Sequence, residues 1–140
     1  MARENIIFLG KTSDEDWAML LSQCRALVFP GEEDFGMVMV EAHASGRPVI
    51  ALARGGALEV IVPDLNGVLF NEPTSSSLIA AVHRFESLES GFTPLRIRET
   101  SLAFGFERFQ REITDYLSEK LRELNAISDR HGYLERRLIF

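Results

Sequence analysis

A chain of 140 residues that is 46% hydrophobic can bury one core but is too short for two full domains. Its net charge of −6 and pI near 5.1 leave no basic footprint for nucleic acid, and its one cysteine, Cys24, cannot close an internal disulfide. No apolar run approaches the about 18 residues of a membrane-spanning helix, and Met1-Ala2-Arg3-Glu4-Asn5 lacks a signal-peptide core, so a cytoplasmic location is expected.

Strand and helix signatures alternate along the chain. Residues 5–9, Asn-Ile-Ile-Phe-Leu, predict a first strand. Ser13 caps a helix over residues 14–24, with Asp16 at the capping-box distance and Trp17, Leu20, Leu21 and Cys24 on one face. Cys24 reads there as a small buried hydrophobe. The run Ala26-Leu27-Val28-Phe29 predicts a second strand, apolar on both faces as in a parallel sheet, and Pro30 and Gly31 end it. Beyond a loop bearing Glu32, Glu33 and Asp34, residues 37–45 read as a helix closed by Gly46. Residues 48–52 predict a third strand, 57–61 a short helix and 67–70 a fourth strand. A helix opening near Ser75 repeats Leu78, Val82 and Phe85 at helical spacing, Ser90-Gly91-Phe92-Thr93-Pro94 breaks it, and residues 95–103 predict another short helix.

From Phe104 onward, Phe106, Phe109, Ile113, Leu117, Leu121 and Leu124 recur at i+3 and i+4 steps, the pattern of a long amphipathic helix whose aromatics are read as core. At its end Arg122, Arg130, Arg136 and Arg137 stand beside Leu134, Leu138, Ile139 and Phe140. Glu119, Glu123, Asp129 and Glu135 dilute that charge, so packing or a partner is expected rather than lipid. The alternation implies an α/β fold: a parallel sheet of about four strands with flanking helices in residues 5–103, extended by residues 104–140 as a helical part of the same domain. With the connecting helices on one face, the other must be covered by the helices from Leu78 onward or by a second chain. The second chain is expected, because the stripe from Phe106 to Leu124 and the tail offer more apolar surface than four short strands bury.

Ligands on such sheets bind beyond the carboxyl ends of the strands, where the Glu33 loop lies. Gly36 permits close backbone approach, and the amides of Phe35, Gly36 and Met37 point out of a helix N-terminus, which suits a phosphate. Glu41, eight residues after Glu33, interrupts the apolar run Met37-Val38-Met39-Val40. Buried there alone, a carboxylate costs several kcal/mol unless it finds donors, and a sugar diol is such a donor. On periodicity alone, Glu33 can equally be a first-turn acid and Glu41 can surface on a polar face. Arg54, Gly55 and Gly56 follow the third strand and adjoin the same crevice, where the glycines free backbone amides and Arg54 can neutralise a phosphate. His43 is two residues from Glu41 and points elsewhere. His83 and His131 have no partner at metal-ligand spacing, so neither a metal nor a cofactor is expected.

The string Phe29-Pro30-x-x-Glu33-x-Phe35-Gly36-x-x-x-x-Glu41-Ala42-x-Ala44-x-Gly46-x-Pro48-Val49-Ile50-Ala51, then Gly55-Gly56-x-x-Glu59 and Asn66-Gly67-x-Leu69-Phe70, resembles the donor-binding, C-terminal half of retaining GT-B glycosyltransferases of family 4. The resemblance covers residues 6–120. It implies a partial Rossmann-like domain, a nucleoside diphosphate sugar as donor substrate, and hexosyl transfer to an acceptor hydroxyl, as in polysaccharide biosynthesis. Carried over residue by residue, Glu33, Asp34, Phe35, Gly36 and Met37 face the sugar and diphosphate and Glu41 faces the nucleotide ribose, with Arg54, Gly55 and Gly56 nearby. The family also brings a strand ending in Gly-Arg and then a Lys-Gly to the diphosphate, and neither precedes Asn5; lysines occur only at Lys11 and Lys120. The acceptor domain and its histidine are missing too. The chain is therefore expected to be feeble on its own, and no residue is named as catalytic base or nucleophile. A homo-oligomer or a second chain carrying the acceptor domain is expected as partner, and three alternatives stay open: an enzyme in which a second chain brings the acceptor domain and the missing cations, a non-catalytic nucleotide-sugar binder or assembly subunit, and a truncated product without activity.

Overall fold

The computed structural model describes residues 4–137, with side chains to residue 127. The chain divides into two compact units, Met1–Ala103 and Phe104–Phe140. The first runs α1 (Asp14–Gln23), β1 (Leu27–Phe29), α2 (Met37–Ala44), β2 (Val49–Leu52), α3 (Ala57–Val60), β3 (Gly67–Phe70), α4 (Ser75–Leu88) and α5 (Pro94–Ser101). The second is α6 (Phe106–Arg137). The three strands form a parallel sheet in the order β1-β2-β3, with Val28 opposite Ile50 and Ile50 opposite Val68.

The first expected strand, residues 5–9, does not form, and Phe8 is 83% exposed. The neighbouring edge explains why. β1 has three residues, so a strand beside it gains only a few ladder hydrogen bonds, while ordering its backbone costs about 1–2 kcal/mol per residue. The sheet therefore begins at β1.

Period-two alternation sends Ile50, Leu52, Val68 and Phe70 to one face, where Ala81 and Phe85 of α4 close a buried cluster edged by Leu78, Val82 and Phe92. The rings of Phe85 and Phe92 stack at 5.7 Å. Arg25 lies over Phe85 and grips the Glu89 carboxylate, with Nε to Oε1 at 2.9 Å, so Glu89 is held below the usual carboxylate range by that hydrogen bond. The alternate residues Val49 and Ala51 are also buried, on the side where α2 packs against the strands and α5 against α2. Both faces of β2 are thus covered within this unit. The face assigned above to a second chain is taken by α4, and only the β1 end stays open, with Val28 44% exposed.

In the second unit, α6 is the long helix its periodicity predicts, but the expectation that its aromatics are core is wrong. Phe106 is 75% exposed, and Phe109, Leu117, Leu121 and Leu124 are exposed with it. Helical spacing reports that a face is apolar and nothing about what covers it. Leu138, Ile139 and Phe140 lie outside the described residues, as do the side chains of Asp129, Arg130, His131, Leu134, Glu135, Arg136 and Arg137.

Candidate functional site

Glycine geometry sets the mouth of α2. Gly36, the N-cap, is left-handed at φ 78° and ψ 57°, a conformation that L residues with a Cβ resist, and no side chain caps this helix end. The amides of Met37 and Val38 have no carbonyl one turn back to bond, so they keep the partial positive charge of a helix N-terminus. At the other end Gly46 takes φ +74°, its amide bonds the His43 carbonyl at 2.8 Å, and the Arg47 amide bonds Ala42 at 2.8 Å, the paired bonds of a Schellman closure. One end of this eight-residue helix is satisfied internally and the other is open at the carboxyl edge of β1.

The loops after β1 and β2 are laced together there. The Gly56 amide donates to the Glu33 carbonyl at 2.7 Å. A Cβ on Gly56 would stand 2.2 Å from the Phe35 carbonyl oxygen, and one on Gly55, at φ +52°, 2.3 Å from that of Glu33. The paired glycines therefore let two backbones touch. This corrects the expectation for Gly56, whose amide is spent on the neighbouring loop rather than offered to a ligand. Arg54 reaches the Glu32 carboxylate at 3.8 Å with both side chains about half exposed, so its charge is already partly answered. Glu33, Asp34, Phe35 and Met37 are exposed on the same rim, and Gly36 is buried.

Glu41 also departs from expectation. It is exposed rather than buried, and being four residues after Met37 it shares that residue's face, about one 5.4 Å turn beyond the open amides. It has a partner that the sequence did not disclose: the Trp17 indole Nε1–H donates to Glu41 Oε2 at 2.9 Å. Trp17 was assigned to an apolar face with Leu20, Leu21 and Cys24, and no local signal tied it to a carboxylate 24 residues away.

Behind this rim lies a buried polar hub. His43 is wholly buried, its Nε2–H donates to the Asn66 carbonyl at 3.0 Å, and its Nδ1 has no hydrogen-bond partner among the described residues. Burial pushes the imidazole down to about 4, against which the Asn66 bond is the lesser influence. The Asn66 side chain accepts from the Val62 amide at 2.7 Å and donates to Val60 O at 3.2 Å and Thr100 Oγ1 at 3.1 Å, joining α3, α5 and the start of β3. A Cβ on the next residue, Gly67, would lie 2.3 Å from the Val49 carbonyl oxygen. The Asn66-Gly67 pair of the recognised pattern is thus a packing device. A cavity of about 200 Å³ lined by Pro30, Phe70, Pro73, Thr74, Ser75 and Leu78 opens at the ends of β1 and β3. Among the described residues, no cluster of histidine, cysteine and carboxylate side chains could hold a metal ion, and no helix is long and apolar enough to cross a membrane.

The family model described as glycosyl transferases group 1 matches residues 1–101. An uncharacterized glycosyltransferase, MJ1178 of Methanocaldococcus jannaschii, is 37% identical over 75 residues, which cover 53% of this chain and 21% of that protein. Sucrose-phosphate synthase from Thermosynechococcus elongatus superposes with a TM-score of 0.69 at 31% identity, over 86% of this chain and 30% of the synthase. The Anabaena protein Alr3699/HepE in complex with UDP-glucose gives 0.70 at 27% identity, over 83% of this chain and 33% of its own. The chain thus spans a fifth to a third of the length of these three proteins.

Proposed function

The chain belongs to the group 1 glycosyl transferases, and from that premise we propose that it is a donor module that binds a nucleoside diphosphate sugar for retaining transfer of a hexosyl group to an acceptor hydroxyl. The observation that carries the reading is the open, glycine-capped N-terminus of α2 with the exposed Glu41 carboxylate one turn further along the same face. Amides carrying positive partial charge suit the diphosphate, and a carboxylate accepts from both hydroxyls of a ribose. Glu33, Asp34, Phe35, Gly36 and Met37 form the sugar and phosphate rim, and Arg54, Gly55 and Gly56 brace it. A similar protein was solved with UDP-glucose, which supports a ligand of this class.

In the transfer, the bond from the anomeric carbon to the diphosphate oxygen breaks with its electron pair going to the diphosphate. The acceptor oxygen forms the new bond, and its proton leaves toward that diphosphate. The helix amides stabilise the departing charge without needing a side-chain nucleophile. The acceptor is supplied by a domain beyond the residues described here, and transfer by this module alone is slow. The exposed α6 stripe from Phe106 to Leu124 is where a second copy or an acceptor-bearing chain docks. Cys24, a free thiol with no second cysteine to pair with, suits a reducing cytoplasm. Calorimetric titration with UDP, GDP, ADP and their hexose conjugates tests the reading. Saturable binding of at least one pair is expected, and failure of all of them to bind overturns it.

A further inference from the structure

The Glu41 carboxylate does not stand free in its proposed site. Trp17, in the first turns of α1, holds Oε2 at 2.9 Å. We propose that Trp17 is the positioning residue of the nucleoside subsite: it turns one carboxylate oxygen toward α1 so that Oε1 and the remaining lone pair of Oε2 face a vicinal diol together. The proposal rests on the reading of Glu41 as the ribose ligand.

The donor inventory fits. An indole N–H only donates, so Trp17 takes one of the roughly four acceptor positions of the carboxylate and never competes with it for a hydroxyl proton. A diol then finds enough acceptors for both its protons. Without Trp17, an exposed glutamate explores several rotamers, and the ligand must bear the entropic cost of ordering it.

The placement of Trp17 is itself built. Ser13 Oγ accepts the Asp16 amide at 3.1 Å and its hydroxyl donates to Asp16 Oδ2 at 2.8 Å, which fixes the first turn of α1. Leu21, four residues beyond Trp17 on the same face, is buried. At the far end the Arg47 guanidinium donates to the Ser22 carbonyl. Residues 6–10 form no strand, and the Trp17 bond joins α1 to the ligand helix itself.

Calorimetry with UDP and 2′,3′-dideoxy-UDP on the full chain separates the possibilities. Wild type should prefer UDP. Trp17→Phe, which keeps the aromatic bulk and loses the donor, should weaken UDP about three- to tenfold while leaving the dideoxy analogue unchanged, and should add nothing in a Glu41→Ala background. Equal loss for both nucleotides shows a merely structural Trp17 and overturns the proposal. So does an unchanged preference in Trp17→Phe when Glu41→Ala abolishes it, a result that leaves the ribose reading intact. Full preference in Glu41→Ala instead refutes the ribose reading itself. Should Trp17→Phe fail to fold, wild type provides the second measurement, since Trp17 is the sole tryptophan. Its fluorescence should change on saturation with UDP and stay constant with the dideoxy analogue, and an emission that ignores saturating UDP overturns the proposal.

Discussion

His43 should make the stability of this chain depend on pH, and its replacement should remove that dependence. The imidazole is wholly buried, donates Nε2–H to the Asn66 carbonyl and has no partner at Nδ1 among the described residues; its pKa falls from 6.5 to about 4. Between those values the unfolded chain binds a proton that the folded chain refuses. Stability is therefore full above about pH 6.5, declines as the pH falls toward 4, and levels off once both states are protonated. At about 1.4 kcal/mol per unit the loss amounts to about 3 kcal/mol. His43→Leu gives up one hydrogen bond, net about 1 kcal/mol at pH 7, while the Asn66 carbonyl keeps the Val49 amide at 3.1 Å. The variant should be the weaker protein at pH 7 and the stronger near pH 4.5, with the curves crossing between about pH 5 and 6. Urea denaturation at half-unit pH steps measures this, and the wild-type minus variant difference cancels the shared carboxylates. A difference that is flat from pH 7 to 4.5 refutes the reasoning.

Gly56→Ala places a Cβ 2.2 Å from the Phe35 carbonyl oxygen, so it should cost at least about 2 kcal/mol in urea denaturation and loosen UDP binding as the two loops part; unchanged values of both contradict the lacing. Glu33→Gln should leave UDP affinity unaltered and weaken UDP-glucose by about tenfold in calorimetry, the scale of one charge-assisted hydrogen bond. Equal loss for the two ligands would show that Glu33 does not read the sugar.

The elements from α1 to α6 were legible because their signals are local. Ser13 caps α1 as its spacing with Asp16 announces, Gly46 closes α2 through a positive φ, and β2, apolar at all four positions, is buried on both faces. What failed was what depends on a neighbour. Residues 5–9 carry a strand's composition but lack an edge long enough to join, and the α6 stripe carries a core helix's pattern while its aromatics stay exposed. The site divides along the same line. Gly36 at an open helix end and Glu41 one turn on were readable from turn chemistry and spacing. The Trp17 bond to Glu41, the Gly56 bond to Glu33 and the Asn66 hub each join segments distant in sequence, and no single segment advertises its half of the pair.

The most direct test of donor binding at the head of α2 is a ¹⁵N NMR titration of the full chain with UDP-glucose. The largest amide shifts should fall at Phe35, Gly36, Met37 and Val38 and at Glu41, with smaller ones at Gly55 and Gly56. Saturation that leaves these amides unmoved, with the shifts gathered instead around the Phe70, Pro73 and Leu78 cavity, would contradict the account.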